Sequence, residues 1–250
     1  MFRPLDVTTS LLTSTLRGWR GTMASARTRQ PEQLLELYDM ENCPYCRLVR
    51  EVLTELDLDV MIYPCPRRGT RFRPVMKKLG GKHLFPFLVD PNTGTQLYES
   101  ADIIDYLWRT YRDRPAPKGL RALQVATSNL SCTTRPRNGY RMRPSQAPEK
   151  PLELYSFESS PFSRIVREAL CELEIPYRLR NTGKAEWQQL GPPEARTTFF
   201  KDRPIKGRNR LRLMELTGRQ QVPYLIDPNT GTAMFESADI RRYLIRTYGA

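Results

Sequence analysis

The sequence predicts a mixed α/β protein made of two tandem copies of one βαβαββα unit, and two blocks of self-similarity carry that prediction. Leu35–Cys46 reads LELYDMENCPYC and Leu152–Ser163 reads LELYSFESSPFS, aligned without a gap. Asp90–Tyr111 (DPNTGTQLYESADIIDYLWRTY) matches Asp227–Tyr248 (DPNTGTAMFESADIRRYLIRTY) at most positions, again without a gap. Recurrence of this kind marks a repeated structural unit. The spacing between the blocks differs, so the second copy holds an insertion, placed at 191–207 (GPPEARTTFFKDRPIKG), whose Pro, Gly and charge content reads as a loop.

Within the first copy, 34–38 reads as a strand, and Pro44 opens a helix with apolar residues at Leu48, Val49, Val52, Leu53 and Leu56. A second strand is expected over 59–63, a helix over 72–79 and a third strand over 87–89. The turn 90–94 leads into a short strand through Tyr98, after which Ser100 is expected to cap the last helix. This is the order of the thioredoxin fold as glutaredoxins have it, and the second copy repeats it from Leu152 to Tyr248. The domain reading is therefore 1–30 as a basic extension, 31–112 as the unit with CPYC, 113–150 as a linker with a short helix over 120–130, and 151–250 as the unit with SPFS.

The 250 residues are 39% hydrophobic and 27% charged, and no apolar run approaches the roughly 20 residues of a membrane span. No transmembrane segment is expected. A net charge of +13 would suit a polyanionic partner, but the arginines are spread along the chain without a recognisable nucleic-acid module, so no nucleic-acid partner is expected. Residues 1–30 hold Arg3, Arg17, Arg20, Arg27 and Arg29, many Ser and Thr, and one acid, Asp6. That composition predicts an organelle-directing segment, in competition with a disordered basic arm.

Five cysteines form an odd set in which only Cys43 and Cys46 are closely paired, which excludes a secreted disulfide framework. No second pair completes a zinc site, and His83 stands apart as a surface residue. The Cys43-Pro-Tyr-Cys46 turn puts the first sulfur at a helix N-terminus, where unpaired amides and the helix dipole stabilise a thiolate. Cys43 is the expected nucleophile and Cys46, one turn on, the resolving thiol. Phe85-Pro86-Phe87 precedes a strand where a cis proline would bring the Phe85 backbone beside that turn. Glu99 and Ser100 open a helix suited to a carboxylate, and recur as Glu236 and Ser237. Cys65 is expected to be a buried or loop thiol, Cys132 an incidental one, and Cys171 a core residue beside Val166 and Leu170.

These motifs together resemble the glutaredoxin and glutathione transferase N-domain superfamily over 33–113 and 151–249. YPCPRRG at 63–69 and the paired DPNTGT strings resemble tandem glutathione-transferase-N-terminal-domain proteins of plants and algae. The resemblance implies glutathione as the cofactor, protein or small-molecule disulfides as partners, and a plastid more than a mitochondrial address. It implies Cys43 as the catalytic thiol, Tyr45, Phe85 and Pro86 around the glutathione backbone, and Glu99 with Ser100 at its γ-glutamyl end. Glu41 and Asn42 stand where glutaredoxins carry a basic residue, with Arg47 as the candidate substitute. Ser160 and Ser163 replace the thiols of the second copy; the resemblance to serine-type glutathione transferases implies the Ser160 hydroxyl as a donor to a glutathione thiolate, and the copy keeps Val222, Pro223, Glu236 and Ser237 as further candidate glutathione contacts. The leading expectation is a glutathione-dependent thiol–disulfide oxidoreductase with a redox-inactive second repeat. A glutathione transferase-like enzyme and a non-enzymatic glutathione- or partner-binding organelle adaptor are the alternatives.

Overall fold

The computed structural model describes residues 4–25, 28–117, 119, 121–186 and 206–250; the insertion expected at 191–207 lies outside them, except for Lys206 and Gly207. Chain order is α1 (Pro4–Leu16), β1 (Leu35–Asp39), α2 (Pro44–Glu55), β2 (Val60–Pro64), α3 (Phe72–Gly80), β3 (Phe87–Asp90), β4 (Thr95–Leu97) and α4 (Ser100–Arg112). It continues with α5 (Arg121–Thr133), β5 (Leu152–Ser156), α6 (Pro161–Glu172), β6 (Tyr177–Asn181), α7 (Arg208–Thr217), β7 (Tyr224–Asp227), β8 (Thr232–Phe235) and α8 (Ser237–Tyr248). Each half has the thioredoxin-fold order: β1 runs parallel to β2 through the α2 crossover and antiparallel to β3, as β5 does to β6 and β7.

The halves share one eight-stranded sheet in the order β4-β3-β1-β2-β6-β5-β7-β8. Its centre is the antiparallel pair β2 and β6, with Met61 opposite Arg178. In a lone unit β2 would be an open edge with unpaired amides and carbonyls; here each half covers the other's edge. One apolar core follows from this, running from Leu35 and Val52 through Leu154 and Leu170 to Tyr248. The DPNTGT strings recur because each Asp anchors a helix. Tyr106 and Tyr111 donate to Asp90 (2.6 and 2.5 Å), and Tyr243 and Tyr248 donate to Asp227 (2.7 and 2.5 Å).

The expectation that residues 1–30 lie outside the folded units is corrected by α1, and the expected linker is likewise part of the fold through α5. The two helices are exchanged between halves. Ser10 Oγ on α1 donates to the Pro161 carbonyl of the second half, and Ser128 Oγ on α5 donates to the Pro44 carbonyl of the first, each at 2.8 Å. Beyond the helices, Arg17 pairs with Glu51 at 2.5 Å and Arg135 with Glu168 at 2.6 Å. Leu5–Gly21 (LDVTTSLLTSTLRGWRG) and Leu123–Gly139 (LQVATSNLSCTTRPRNG) are thus a third pair of repeated strings. The duplicated unit is an arm helix followed by a thioredoxin-fold domain.

Four further buried ions lock the junction in the same pseudo-twofold pattern. Arg50 meets Glu158 at 3.0 Å and Arg167 meets Glu41 at 3.1 Å, all four inaccessible or nearly so. Buried charges are tolerated only when paired and hydrogen-bonded, so these residues specify how the halves dock more than they add stability.

Candidate functional site

Pro44 takes the first position of α2, where a missing N–H costs nothing, and Cys43 precedes it in an extended conformation as the helix cap. The Cys46 amide points back at the Cys43 sulfur, 3.4 Å away. Cys43 is 7% exposed and Cys46 is fully buried. The side-chain hydrogen bond from Cys46, followed by the amides of the turn and the nearby Arg50, holds the Cys43 thiol below its ordinary pKa despite burial. Burial pushes Cys46 well above its ordinary value, and the hydrogen bond to Cys43 adds to that. The turn therefore offers one outer sulfur ready to ionise and one inner sulfur held as a thiol. Asp39, at the end of β1, adds its charge against ionisation of Cys46; burial lifts Asp39 itself to about 6 although Arg50 hydrogen-bonds to it.

The antiparallel register sets Tyr38 opposite Phe87, which brings the residues just before β3 beside the chain entering the Cys43 turn. There Phe85–Pro86 is a cis peptide, as Val222–Pro223 is in the second half. Tyr45 is exposed at the mouth of the turn. Ser100 is not the cap of α4, which corrects the expectation: it is the first helical residue, and Glu99 holds the cap position at φ 63° without a side-chain cap bond. Glu236 repeats this at φ 67°. A non-glycine residue at positive φ costs on the order of 1–3 kcal/mol, and such strain clusters at functional sites. Both halves carry it at the same helix start.

Arg47 does not face the mouth of the site as expected. It is fully buried, with its guanidinium on Glu51 (3.1 Å) and on Ser131 Oγ of α5 (3.0 Å). The cation beside Phe85 is Arg73 on α3, which the sequence reading missed. Its guanidinium lies over the Phe85 ring, 4.7 Å from the centroid, and donates to the carbonyls of Cys65 and Pro66. A further open cleft of about 460 Å³ is lined by Arg67, Arg68, Arg137, Arg141 and Arg143 with Tyr140. The Asn42 amide, which donates to the Gly139 carbonyl at 3.3 Å, ties it to the Cys43 turn.

In the second half Ser160 Oγ accepts from the Ser163 amide at 3.3 Å, copying the geometry of the cysteine turn with hydroxyls. Ser160 is 2% exposed, Ser237 again begins its helix, and the Gln221 amide donates to Glu236 at 2.6 Å. Cys65 and Cys171 are buried, with burial raising both thiols, and His83 is exposed. Among the described residues no cluster could hold a metal ion, and no helix is long and apolar enough to cross a membrane.

The model of the family described as glutathione S-transferase, N-terminal domain, matches residues 37–115 and again 154–250. The chain therefore belongs to the glutathione S-transferase N-terminal domain family, with the domain present twice. No match was found among curated proteins. A solved structure that it resembles is Leishmania TDR1, a trimeric glutathione transferase, 14% identical, covering 87% of this chain and 68% of that one at a TM-score of 0.29.

Proposed function

We propose that the protein is a glutathione-dependent thiol–disulfide exchange enzyme, glutaredoxin-like in chemistry, whose first half does the reaction. One observation carries the reading: an outer sulfur at a helix N-terminus held below its ordinary pKa, with a second sulfur one turn beneath it. The Cys43 thiolate attacks a substrate disulfide and releases one thiolate. Cys46 then gives up its proton and displaces the remaining thiol from Cys43, or glutathione does so instead. Asp39, buried and within electrostatic reach of Cys46, is suited to take that proton.

Glutathione fits this reading through the Phe85 backbone, the Tyr45 flank and the amides at the start of α4 behind Glu99 and Ser100. Arg73, in place of Arg47, supplies the cation for its glycine carboxylate. The second half acts as a scaffold: the hydroxyls of Ser160 and Ser163 cannot form a disulfide.

Glutathione-coupled reduction of a small mixed disulfide by the full chain tests this. The parent is expected to be active, Cys43→Ser inactive and Cys46→Ser partly active. An inactive parent refutes the reading, and conjugation of an electrophile that survives Cys43→Ser would favour a transferase.

A further inference from the structure

The exchange of arm helices carries a third thiol to the Cys43 turn. Ser128, Ser131 and Cys132 occupy neighbouring positions on one side of α5, and Arg135 stands just past its end. Their contacts bracket Cys43: Ser128 Oγ donates to the Pro44 carbonyl (2.8 Å), Arg47 donates to Ser131 Oγ (3.0 Å), and Asn42 donates to the Arg135 carbonyl (3.2 Å). Cys132 lies within electrostatic reach of Cys43 as well as of Arg47, Arg164 and Arg50. Its counterpart in the other half, Ser14, donates at 2.7 Å to the carbonyl of Ser159, the residue just before Ser160. The repeat correspondence sets Cys132 toward the same place ahead of Cys43.

Cys43, Cys46 and Cys132 in one half correspond to Ser160, Ser163 and Ser14 in the other. The thiols of this site are present as a set in one half and replaced by hydroxyls as a set in the other. Cys65 and Cys171, with Thr182 and Thr54 as counterparts, are buried and engaged by backbone ahead of the turn: Cys171 Sγ accepts from the Glu41 amide (3.4 Å) and donates to the Gly139 carbonyl (3.3 Å), and the Cys65 amide donates to the Asp39 carbonyl. The surroundings of Cys132 also hold unmet donors. Arg47 Nη2 and Arg164 Nε are buried and have no hydrogen-bond partner among the described residues. Buried donors left unpaired are costly, and a sulfur that becomes a thiolate during exchange would satisfy them. Burial lifts the Cys132 thiol to about 11 at rest, against the pull of Arg47, Arg164 and Arg50.

We propose that Cys132 is a third exchange thiol, a resolving residue delivered to Cys43 by the arm helix of the second repeat. The inference rests on the exchange function proposed for Cys43. A substrate disulfide first leaves one of its thiols bonded to Cys43 and the other released. Cys132 then loses its proton to the departing group and attacks the Cys43 sulfur. The Cys43–Cys132 disulfide forms, the bound thiol leaves reduced, and two electrons have passed from the protein to the substrate. Two molecules of glutathione return the pair to thiols.

The experiment treats the full chain with oxidised glutathione, traps free thiols by alkylation and maps each cysteine by mass spectrometry. Three variants are compared: Cys46→Ser, Cys132→Ser and Cys46→Ser/Cys132→Ser. Serine is the residue the other half carries at each place, so the variants are compatible with the fold. Cys46→Ser is expected to hold roughly tenfold less glutathione mixed disulfide on Cys43 than the double variant, since an intramolecular thiol outcompetes a dissolved one, and to yield a Cys43–Cys132 crosslink. Equal mixed disulfide in the two, with Cys132 still alkylated, overturns the third thiol while leaving the exchange function standing. A double variant with no mixed disulfide on Cys43 removes the exchange function and the third thiol with it.

Discussion

The Cys43 turn and the Ser160 turn are built alike. Each begins with Pro at the first helical position and a side chain that accepts the amide three residues on, and each is backed by a cis proline and a strained Glu. An arm helix from the opposite half braces each through a serine hydroxyl. The sulfurs are the chief difference between them, with Asp39 in the first half answered by Ser156 in the second. The frame recurs where the thiols do not, because the frame has a second task. Glu41 and Glu158, the residues just ahead of the two turns, pair across the junction with Arg167 and Arg50. A half that lost its thiols still has to hold its partner.

The largest expected difference lies in the reaction. Cys43→Ser is expected to reduce exchange by about three orders of magnitude, equivalent to roughly 4 kcal/mol of barrier, with an unchanged melting temperature. Ser160→Ala is expected to leave the rate unchanged, and a comparable loss there would break the division of labour. Next come the junction arginines. Arg50→Leu and Arg167→Leu should each cost about 3–5 kcal/mol in urea unfolding, because each strands a buried carboxylate. Very unequal costs would show that the two halves are not mechanically equivalent.

Asp39 sharpens the contrast, since the second half has Ser156 in its place. Its folded pKa of about 6 lies above the ordinary 3.8, so the folded chain takes up a proton between those values. Stability from this group is complete below about pH 4 and lost as pH rises through about 6, by at most about 3 kcal/mol. Asp39→Asn is expected to remove that slope from the pH dependence of unfolding, and an unaltered slope would count against it. The smallest effects belong to the arms: Ser10→Ala and Ser128→Ala should each cost about 1 kcal/mol, measured by denaturant midpoint.

The sheet and the Cys43 turn were legible because their residues follow the usual rules. The core strands alternate or run apolar, α2 carries an apolar stripe, and Pro44 marks the start of that helix. The arms were not legible, because α1 buries Ser10, Thr13 and Ser14 while exposing Leu5, Leu11 and Leu12. Its inward face is polar, so apolar periodicity points the wrong way and the composition reads as an address segment. Comparing Leu5–Gly21 with Leu123–Gly139 would have found it. The joining of β2 to β6 left no mark, since a short strand does not name its neighbour. Arg47 was assigned to the mouth and Arg73 was missed because sequence distance from Cys43 does not say which way a helix turns its side chains.

The rate of iodoacetamide modification of each cysteine in the native chain, followed against pH, tests the central claim most directly. Cys43 is predicted to react first, with a midpoint below the ordinary value of about 8.5, while Cys46, Cys65 and Cys171 stay protected. First reaction at any of those buried thiols, or a Cys43 midpoint at or above the ordinary value, would contradict it.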